Sequence, residues 1–272
     1  MNLKKKSFEL RKDVVEMIYR AKNGHIGSDF SLMEILVELY YRQMNVTPEN
    51  FRDDDRDRFI LSKGHAVESL YAVLADRGFF PKDDLKNFST HGSKYISHPT
   101  NKINGIEMNT GSLGHGLGLG VGMALAAKMD GKNFRVYVVM GDGEVAEGSV
   151  WEAATAGSHY KLDNLIAFVD RNHLQISGTT EEVMSLKSQE RRWESFGWNV
   201  ISIPGNDIEA VSCAVTLAKK ISGKPTVIIA HTIKGFGVSF MENKLVWHHR
   251  IPDDQEYRAA LKELEERRAR CE

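Results

Sequence analysis

The segment VYVVMGDGEVAEGSVWEAATAGSHYKLDNLIAFVDRNHLQISG, residues 136–178, decides the fold class of this chain. It contains two apolar runs typical of buried strands, separated by a stretch long enough for a helix. Asp142 lies between two glycines directly after the first run, and Asn172 follows the second. Consecutive parallel strands joined by a helix end at the same edge of a sheet. We therefore expect Asp142 and Asn172 to lie side by side in the crevice where open α/β sheets bind ligands.

The rest of the chain continues this alternation of strands and helices. Continuous Val/Ile runs within the strands are typical of a parallel sheet that is buried on both faces. We therefore predict an α/β fold, a mostly parallel sheet with helices on both faces, as a single domain over residues 1–272. The predicted strands are 58–61, 135–140, 164–170, 198–203 and 225–231, and the predicted helices are 8–22, 32–41, 66–78, 148–160, 208–221 and 253–272.

The bulk composition excludes several classes of function. The formal net charge of −1 in 272 residues creates no field that attracts nucleic acid or an anionic membrane. Two cysteines form neither a disulfide framework nor a zinc cluster, which favours a reducing compartment. Charges interrupt the segment after the first lysines, and no apolar run reaches the roughly 20 residues of a membrane span. We expect a soluble, cytoplasmic protein that binds neither nucleic acid nor membrane.

The acid inside the glycine turn indicates a metal site. Glycines and a following helix start favour phosphate, yet a bare Asp142 would repel it. A divalent cation removes the repulsion if Asp142, the side-chain oxygen of Asn172 and a nearby backbone carbonyl bind it. Such an oxygen set, short of six ligands, suits magnesium that also takes oxygens from phosphate and water. The turn fits neither the dinucleotide fingerprint nor a P-loop. An isolated Gly-Asp-Gly is a common surface turn, but its flanking strands and helix favour a metal–diphosphate site.

The stretch GDGEVAEGSVWEAATAGSHYKLDNLIAFVDRN resembles the thiamine diphosphate signature. From NGHIGSDFS to VWHHRIP, the chain is similar to the N-terminal, diphosphate-binding part of transketolase. The resemblance implies a thiamine diphosphate-binding fold and a bound Mg²⁺, Ca²⁺ or Mn²⁺. By this resemblance, the metal is bound by Asp142, Asn172 and the Leu174 carbonyl. The cofactor is contacted by Gly143, Glu147 and Asn172. Glu147 and Glu152 lie near a subunit contact.

Four of the ten histidine positions lie in loops or at strand ends, where side chains can reach the crevice. The implied reaction needs hydrogen-bond donors for a developing oxyanion and a base for a neighbouring hydroxyl, both of which imidazole provides. By similarity, His25, His98 and His248 are catalytic, and His65 and His248 contact the cofactor. His249 is the alternative to His248. The histidines expected to be structural or peripheral are His91, His115, His159, His173 and His231.

The stretch TGSLGHGLGLGVGMALAAKM, residues 110–129, is predicted to be a helix, with a flexible loop as the alternative. Each interior glycine costs about 1 kcal/mol relative to alanine, so such a helix needs a closely packed neighbour. Gly114, Gly118 and Gly122 lie four residues apart and are predicted to form the packing face. The start of this stretch resembles the family's loop beside the cofactor. This resemblance implies that Gly111, Ser112 and Leu113 contact the cofactor. Ser112 stands where the family usually has proline.

The resemblance also implies a partner. In the family, a second domain supplies a carboxylate, an aromatic pocket and basic residues for the sugar phosphate. We expect pyrimidine-binding and C-terminal domains on a separate chain, in a heterotetramer of two plus two chains. The expected reaction transfers a two-carbon ketol unit from a ketose phosphate to an aldose phosphate. The alternatives are a subunit resembling deoxyxylulose-phosphate synthase or a 2-oxo acid dehydrogenase, or a non-catalytic chain that retains the fold. The histidine positions and HTIKGFGVSFMEN favour ketol transfer.

Overall fold

The computed structural model describes residues 1–271, and Glu272, the last residue of the predicted C-terminal helix, lies outside the described residues. Five parallel strands form one sheet in the order β1-β2-β3-β5-β4. This confirms the predicted parallel sheet and all five predicted strands. The strands are β1 (Arg58–Leu61), β2 (Val136–Gly141), β3 (Leu165–Arg171), β4 (Asn199–Pro204) and β5 (Thr226–His231).

Ten α-helices are formed by residues 1–271, and they include all the predicted ones. The first begins five residues earlier than predicted because the side chain of Asn2 accepts a hydrogen bond from the Lys5 N–H and caps it. Within residues 1–271, no helix combines the length and the apolar composition of a membrane span. The helices are α1 (Leu3–Ala21), α2 (Ile26–Ser31), α3 (Met33–Glu38), α4 (Val67–Asp76), α5 (Gly116–Met129), α6 (Gly148–His159), α7 (Thr180–Met184), α8 (Gln189–Ser195), α9 (Ile208–Ala218) and α10 (Asp254–Ala269).

Helices cover both faces of the sheet, as predicted. Along β2, Tyr137 and Val139 face a core built with α1, α3, α4, α9 and α10. Val136 and Val138 face the opposite core, built with α5 and α6 and with Trp193 of α8. Since successive strand residues point to opposite faces, a continuous apolar run such as β2 requires a layer on each side.

The crossover from β2 through α6 to β3 places the two signature strands next to each other. Gly141 at the end of β2 is in register with Asp170 of β3. Asp142 and Asn172 therefore leave neighbouring strands at the same edge, which confirms the placement expected from the sequence. The exits of β1 and β5 lie at this edge too, because all strands run in the same direction.

The glycine-rich stretch forms helix α5 from Gly116 onward, and the predicted packing face is wrong for Gly118 and Gly122. Gly114 lies before the helix and is closely packed, since a Cβ there would lie 2.5 Å from the Ser149 hydroxyl. A Cβ at Gly118 or Gly122 would meet no atom of the described residues within 4 Å. The close contacts are on the opposite side of the helix. A Cβ at Gly116 would lie 2.3 Å from the Ser62 hydroxyl, and a Cβ at Gly120 would lie 2.6 Å from Val138. Positions two apart on a helix differ by about 200°, so an error of two residues selects the opposite face.

Candidate active site

A cavity of about 420 Å³ opens at the carboxyl edge of the sheet. The ends of β1, β2 and β3 contribute to it, together with the start of α2 and the turn before α10. It contains most of the residues that the sequence assigned to a site. Its lining includes His25, His65, Gly111, Leu113, Asp142, Gly143, Glu147, Asn172, Leu174, His248 and His249, and also Ser28, Lys63, Gly141, Glu144, Gln175, Ile176, Ser177 and Lys234.

Asp142 and Asn172 are buried at the floor of this cavity, 3% and 6% exposed. One oxygen of Asp142 accepts the His173 N–H at 2.7 Å, and the other accepts the Gln189 amide at 2.9 Å. The Asn172 side-chain oxygen accepts the Leu174 N–H at 3.1 Å. These hydrogen bonds orient the carboxylate and the amide oxygen on adjacent strand ends, where the expected metal ligands meet.

The donor set at this end fits a hard divalent cation. Burial raises the pKa of Asp142, and the Arg171 guanidinium, 3.7 Å away, acts in the opposite direction. No cluster of three or more His, Cys, Asp or Glu suited to a metal occurs within residues 1–271. The available protein ligands are therefore a carboxylate, an amide oxygen and a carbonyl, which leaves positions for phosphate and water oxygens.

Glu144, which the sequence patterns did not indicate as a site residue, connects three loops of the cavity. Its buried carboxylate accepts the N–H groups of Gly114 at 2.8 Å and Gly141 at 2.9 Å, and also the hydroxyl of Ser62. Burial raises the pKa of Glu144, and these donors oppose the shift. The acid that ends GDGE was the available signal, but only the fold shows which loops this side chain reaches.

A second group that the sequence patterns did not indicate is a buried ion pair beneath the cavity. Lys63 Nζ lies 2.5 Å from Asp170 Oδ2 and 3.1 Å from the Ser28 carbonyl. The hydroxyls of Ser31 and Thr232 also donate to Asp170. The pair joins the β1 exit to the centre of the sheet and places one cation on the cavity wall.

The predicted histidines form a cluster at the other end of the cavity. The His25 ring centroid lies 5.3 Å from that of His65, 6.3 Å from His98, 5.6 Å from His248 and 4.0 Å from His249. His25 Nδ1 is buried and has no hydrogen-bond partner within residues 1–271. The cluster brings together four chain segments that are far apart in sequence, and the unpaired Nδ1 of His25 is buried within it.

Burial disfavours the charged form of four imidazoles in this cluster. Burial, followed by His249 and His248, lowers the pKa of His25 to about 3. Burial, followed by Lys234, lowers the pKa of His248 to about 3, and burial also lowers the pKa values of His65 and His98. A neutral imidazole can both donate and accept a hydrogen bond.

Lys234 also belongs to the site, although the sequence patterns did not indicate it. It lies in the segment HTIKGFGVSFMEN. It is 2% exposed, and its ammonium lies 2.9 Å from His248 Nδ1. Burial, followed by Lys63, lowers the pKa of Lys234 to about 8. His249 is exposed, and within residues 1–271 no hydrogen bond holds its ring. Of the two adjacent histidines, only His248 is therefore held by a hydrogen bond.

Several predicted residues lie at the rim instead of the floor. Ser112 is exposed, and its hydroxyl lies 3.3 Å from His115 Nδ1. Gly111 contacts His98 so closely that a Cβ would lie 2.6 Å from that ring. Glu147 lines the cavity but is exposed, as is Glu152.

Known proteins with similar sequences include transketolases and subunits of transketolases. The family model described as the thiamine diphosphate-binding domain of transketolase matches residues 4–264. A protein of Phocaeicola vulgatus, named as one subunit of apulose-4-phosphate transketolase, is 50% identical over 257 residues, 94% of this chain and 92% of that protein. The 6-deoxy-6-sulfo-D-fructose transketolase subunit SqwG of a Clostridium species is 43% identical over 257 residues, 94% of each.

Longer transketolases match over part of their length. Human transketolase is 40% identical over 247 residues, which cover 90% of this chain and 39% of the human protein. A transketolase variant from Pichia stipitis superposes with a TM-score of 0.92 at 32% identity, over 97% of this chain and 41% of that one. The expected resemblance and the expected fold are thereby confirmed. By its sequence, its parallel sheet and its match to the thiamine diphosphate-binding domain, the chain belongs to the transketolase family.

Proposed function

We propose that the chain is the thiamine diphosphate-binding subunit of a two-chain transketolase, which transfers a two-carbon ketol unit from a ketose phosphate to an aldose phosphate. The observation that carries the proposal is a single cavity with two chemically different ends. One end presents oxygen ligands and backbone amides, and the other presents a cluster of neutral imidazoles. A regulatory chain that retained only the fold would have no need for both.

Mg²⁺, or Ca²⁺ or Mn²⁺ in its place, would be held by Asp142, Asn172 and the Leu174 carbonyl. Gly143 and Asn172 would contact the diphosphate. Support comes from the burial of Asp142 and Asn172 and from the cation Lys234, which lines the same cavity. Bound thiamine diphosphate supplies the carbon nucleophile and the electron sink for carbon–carbon bond cleavage.

The histidines would move and orient protons. His25 and His248 would donate to the oxygen of the substrate carbonyl and accept a proton from the neighbouring hydroxyl, because neutral rings can do both. His98 would hold the hydroxyls of the donor sugar from the rim, and His65 would support the diphosphate end. The unpaired Nδ1 of His25 supports a ligand contact at that nitrogen.

The second chain would provide the pyrimidine-binding and C-terminal domains, in a heterotetramer of two plus two. The relatives that are named as subunits of transketolases support a separate partner. Glu147 and Glu152 are exposed and available for a subunit contact. Sugar phosphates would be the substrates. Because the relatives' names mention different ketoses, the assay should use a panel of pentose and branched ketose phosphates. A cytoplasmic location is supported by the free cysteines Cys213 and Cys271.

The proposal is tested by co-expressing the chain with the product of the adjacent reading frame. Thiamine diphosphate binding is measured by calorimetry at saturating Mg²⁺, and ketol transfer with the sugar panel. Replacing Asp142 by Ala should weaken binding at least about 100-fold, since even residues that only orient metal ligands contribute 10–100-fold. Asp130→Ala, at an exposed acid beyond the end of α5, is the matched control.

The same assay separates the two adjacent histidines. His248→Ala should lower kcat with little change in cofactor affinity, whereas His249→Ala should leave kcat within a few-fold. Failure of the purified pair to bind thiamine diphosphate, or transfer from pyruvate instead of ketose donors, would contradict the proposed activity.

A further inference from the structure

Two buried carboxyl groups lie behind the histidine cluster and outside the cavity lining. Asp29 is on α2, four residues after His25, and Glu68 is in the first turn of α4, three residues after His65. Both side chains are 0% exposed. Each acid therefore lies on a segment that carries a cavity histidine, His25 for Asp29 and His65 for Glu68.

The pair is short of hydrogen-bond donors. Asp29 Oδ1 accepts the Ser69 N–H at 2.8 Å, and the Asp29 carbonyl accepts the Ser69 hydroxyl at 2.9 Å. Asp29 Oδ2 and both oxygens of Glu68 have no N–H or O–H in good hydrogen-bonding geometry within residues 1–271, while the two carboxyl groups face each other at hydrogen-bonding range. Two facing carboxylates cannot bond each other unless one carries a proton.

No cation within residues 1–271 is paired with these acids. Lys63 is the cation that acts on Asp29, but its ammonium is bound to Asp170 at 2.5 Å. On the α4 side, Tyr71 is the titratable neighbour of Glu68, and its hydroxyl donates to the Ile96 carbonyl at 2.9 Å.

On the cavity side, the backbone at His25 lowers the pKa of the Glu68 carboxyl, against the larger effect of burial. The chain comes so close that a Cβ at Gly24 would lie 2.7 Å from Glu68 Oε1. Burial raises the pKa of both carboxyl groups above their ordinary values of 3.8 and 4.5.

We propose that Asp29 and Glu68 share one proton at neutral pH, and that this carboxyl–carboxylate bond sets the spacing between the segments that carry His25 and His65. The two are positioning residues, since neither lines the cavity. Ser69 anchors Asp29 to the start of α4, and Glu68 supports the backbone at His25. The shared proton closes this connection and keeps the His25 and His65 rings 5.3 Å apart. The effect on ketol transfer rests on the proposed function, whereas the shared proton does not.

The pH dependence follows from the direction of the shifts. An acid whose pKa is higher in the folded than in the unfolded chain stabilises the fold. This contribution is complete at pH values below the pKa in the unfolded chain, and it is lost as the pH rises through the pKa in the folded chain. Above the pKa in the folded chain, both Asp29 and Glu68 are ionised and their negative charges repel each other. The connection between α2 and α4 then opens. Stability and the positioning of His25 should therefore decline on the alkaline side.

Glu68→Gln tests the proposal because the amide N–H replaces the shared proton with a donor that does not titrate. Asp29→Asn does the same from the other side. Glu68→Leu has a similar volume and no donor, and Glu194→Gln removes an exposed carboxyl as the control. The readouts are the infrared carbonyl band of a protonated carboxylic acid at pH 7, the melting temperature between about pH 6 and 9, and kcat and KM with the partner chain.

The expected result is a protonated-acid band in the wild type and in Glu194→Gln that is missing from Glu68→Gln. The melting temperature should fall with pH more steeply in the wild type than in Glu68→Gln. Glu68→Gln should keep kcat within about two-fold with a flatter alkaline limb, while Glu68→Leu should lose about ten-fold in kcat with KM little changed.

A wild-type spectrum without the band, or parallel melting curves of wild type and Glu68→Gln, would overturn the shared proton. Equal kcat values in Glu68→Gln and Glu68→Leu would overturn the positioning role. Absence of ketol transfer in the wild-type pair would count against the proposed function alone, because the infrared and melting measurements need no substrate.

Discussion

Replacing Lys63 by Met should destabilise the chain strongly, because it leaves the charge of Asp170 buried without a cation. Lys63 and Asp170 are 1% and 0% exposed, and their charged atoms are 2.5 Å apart. Removing one partner of a buried ion pair costs about 3–5 kcal/mol. In a domain of this size 1 kcal/mol shifts the melting temperature by about 2–4 °C, so the expected loss is about 6–20 °C.

The matched control is Lys128→Met, which breaks the ion pair with Asp163. That pair is also short, 2.7 Å, but its side chains are 36% and 29% exposed. Exposed pairs contribute about 0.2–1 kcal/mol, so the control should lose less than about 4 °C. Urea and thermal unfolding of the cofactor-free chain measure both variants.

The double variant Lys63→Met/Asp170→Asn separates the ion pair from packing. With no charge left behind, it should lose less than the sum of the two single variants. The Ser31 and Thr232 hydroxyls donate to different oxygens of Asp170, so one of them can still donate to the asparagine oxygen and the other can accept from its amide group. A loss below about 1 kcal/mol in Lys63→Met, or additive losses in the double variant, would refute the argument that burial makes this pair costly to break.

Two further outcomes follow from the site and the glycine helix. If the ammonium form of Lys234 attracts the diphosphate within the cavity, the apparent Kd for thiamine diphosphate should rise by up to about ten-fold per pH unit as pH rises above about 8. Lys234→Met should then bind more weakly and lose this dependence, as calorimetry would show. Identical pH profiles of wild type and variant would exclude this role of Lys234. Gly120→Ala should destabilise by about 1–3 kcal/mol since its Cβ would lie 2.6 Å from Val138, whereas Gly122→Ala, which meets no described atom within 4 Å, should stabilise by up to about 1 kcal/mol. Urea unfolding of both variants decides this, and a reversed order would show that the helix presents another face to the sheet.

The strand–helix alternation was enough to predict the sheet and the place of the two expected metal ligands, Asp142 and Asn172. Continuous apolar runs specify strands buried on both faces, and a helix between two of them specifies a parallel crossover. Asp142 and Asn172 follow from that connectivity alone, and the structure places them on adjacent strand ends. Local patterns also located the start of α9 at Ile208, where Asp207 caps the helix, although the helix ends three residues earlier than predicted.

Long-range contacts were not predictable in the same way. Glu144 hydrogen-bonds a loop 30 residues upstream, and Lys63 finds Asp170 at a separation of 107 residues. Neither pairing leaves a periodic signal, because sequence patterns report which face of an element is apolar and not which distant element covers it. The packing face of α5 was not predictable for the same reason: its glycines alternate between two opposite faces of the helix, so only the neighbouring sheet distinguishes Gly120 from Gly122.

The amino-acid sequence by itself determined the parallel α/β architecture, the acid and amide at its carboxyl edge and the identity of the loop histidines, because these depend on local periodicity and chain connectivity. Only the tertiary structure decided which charges are buried together, which histidine contacts Lys234 and how Asp29 meets Glu68. Those pairings depend on desolvation, and a side chain loses its water only when segments distant in sequence pack around it.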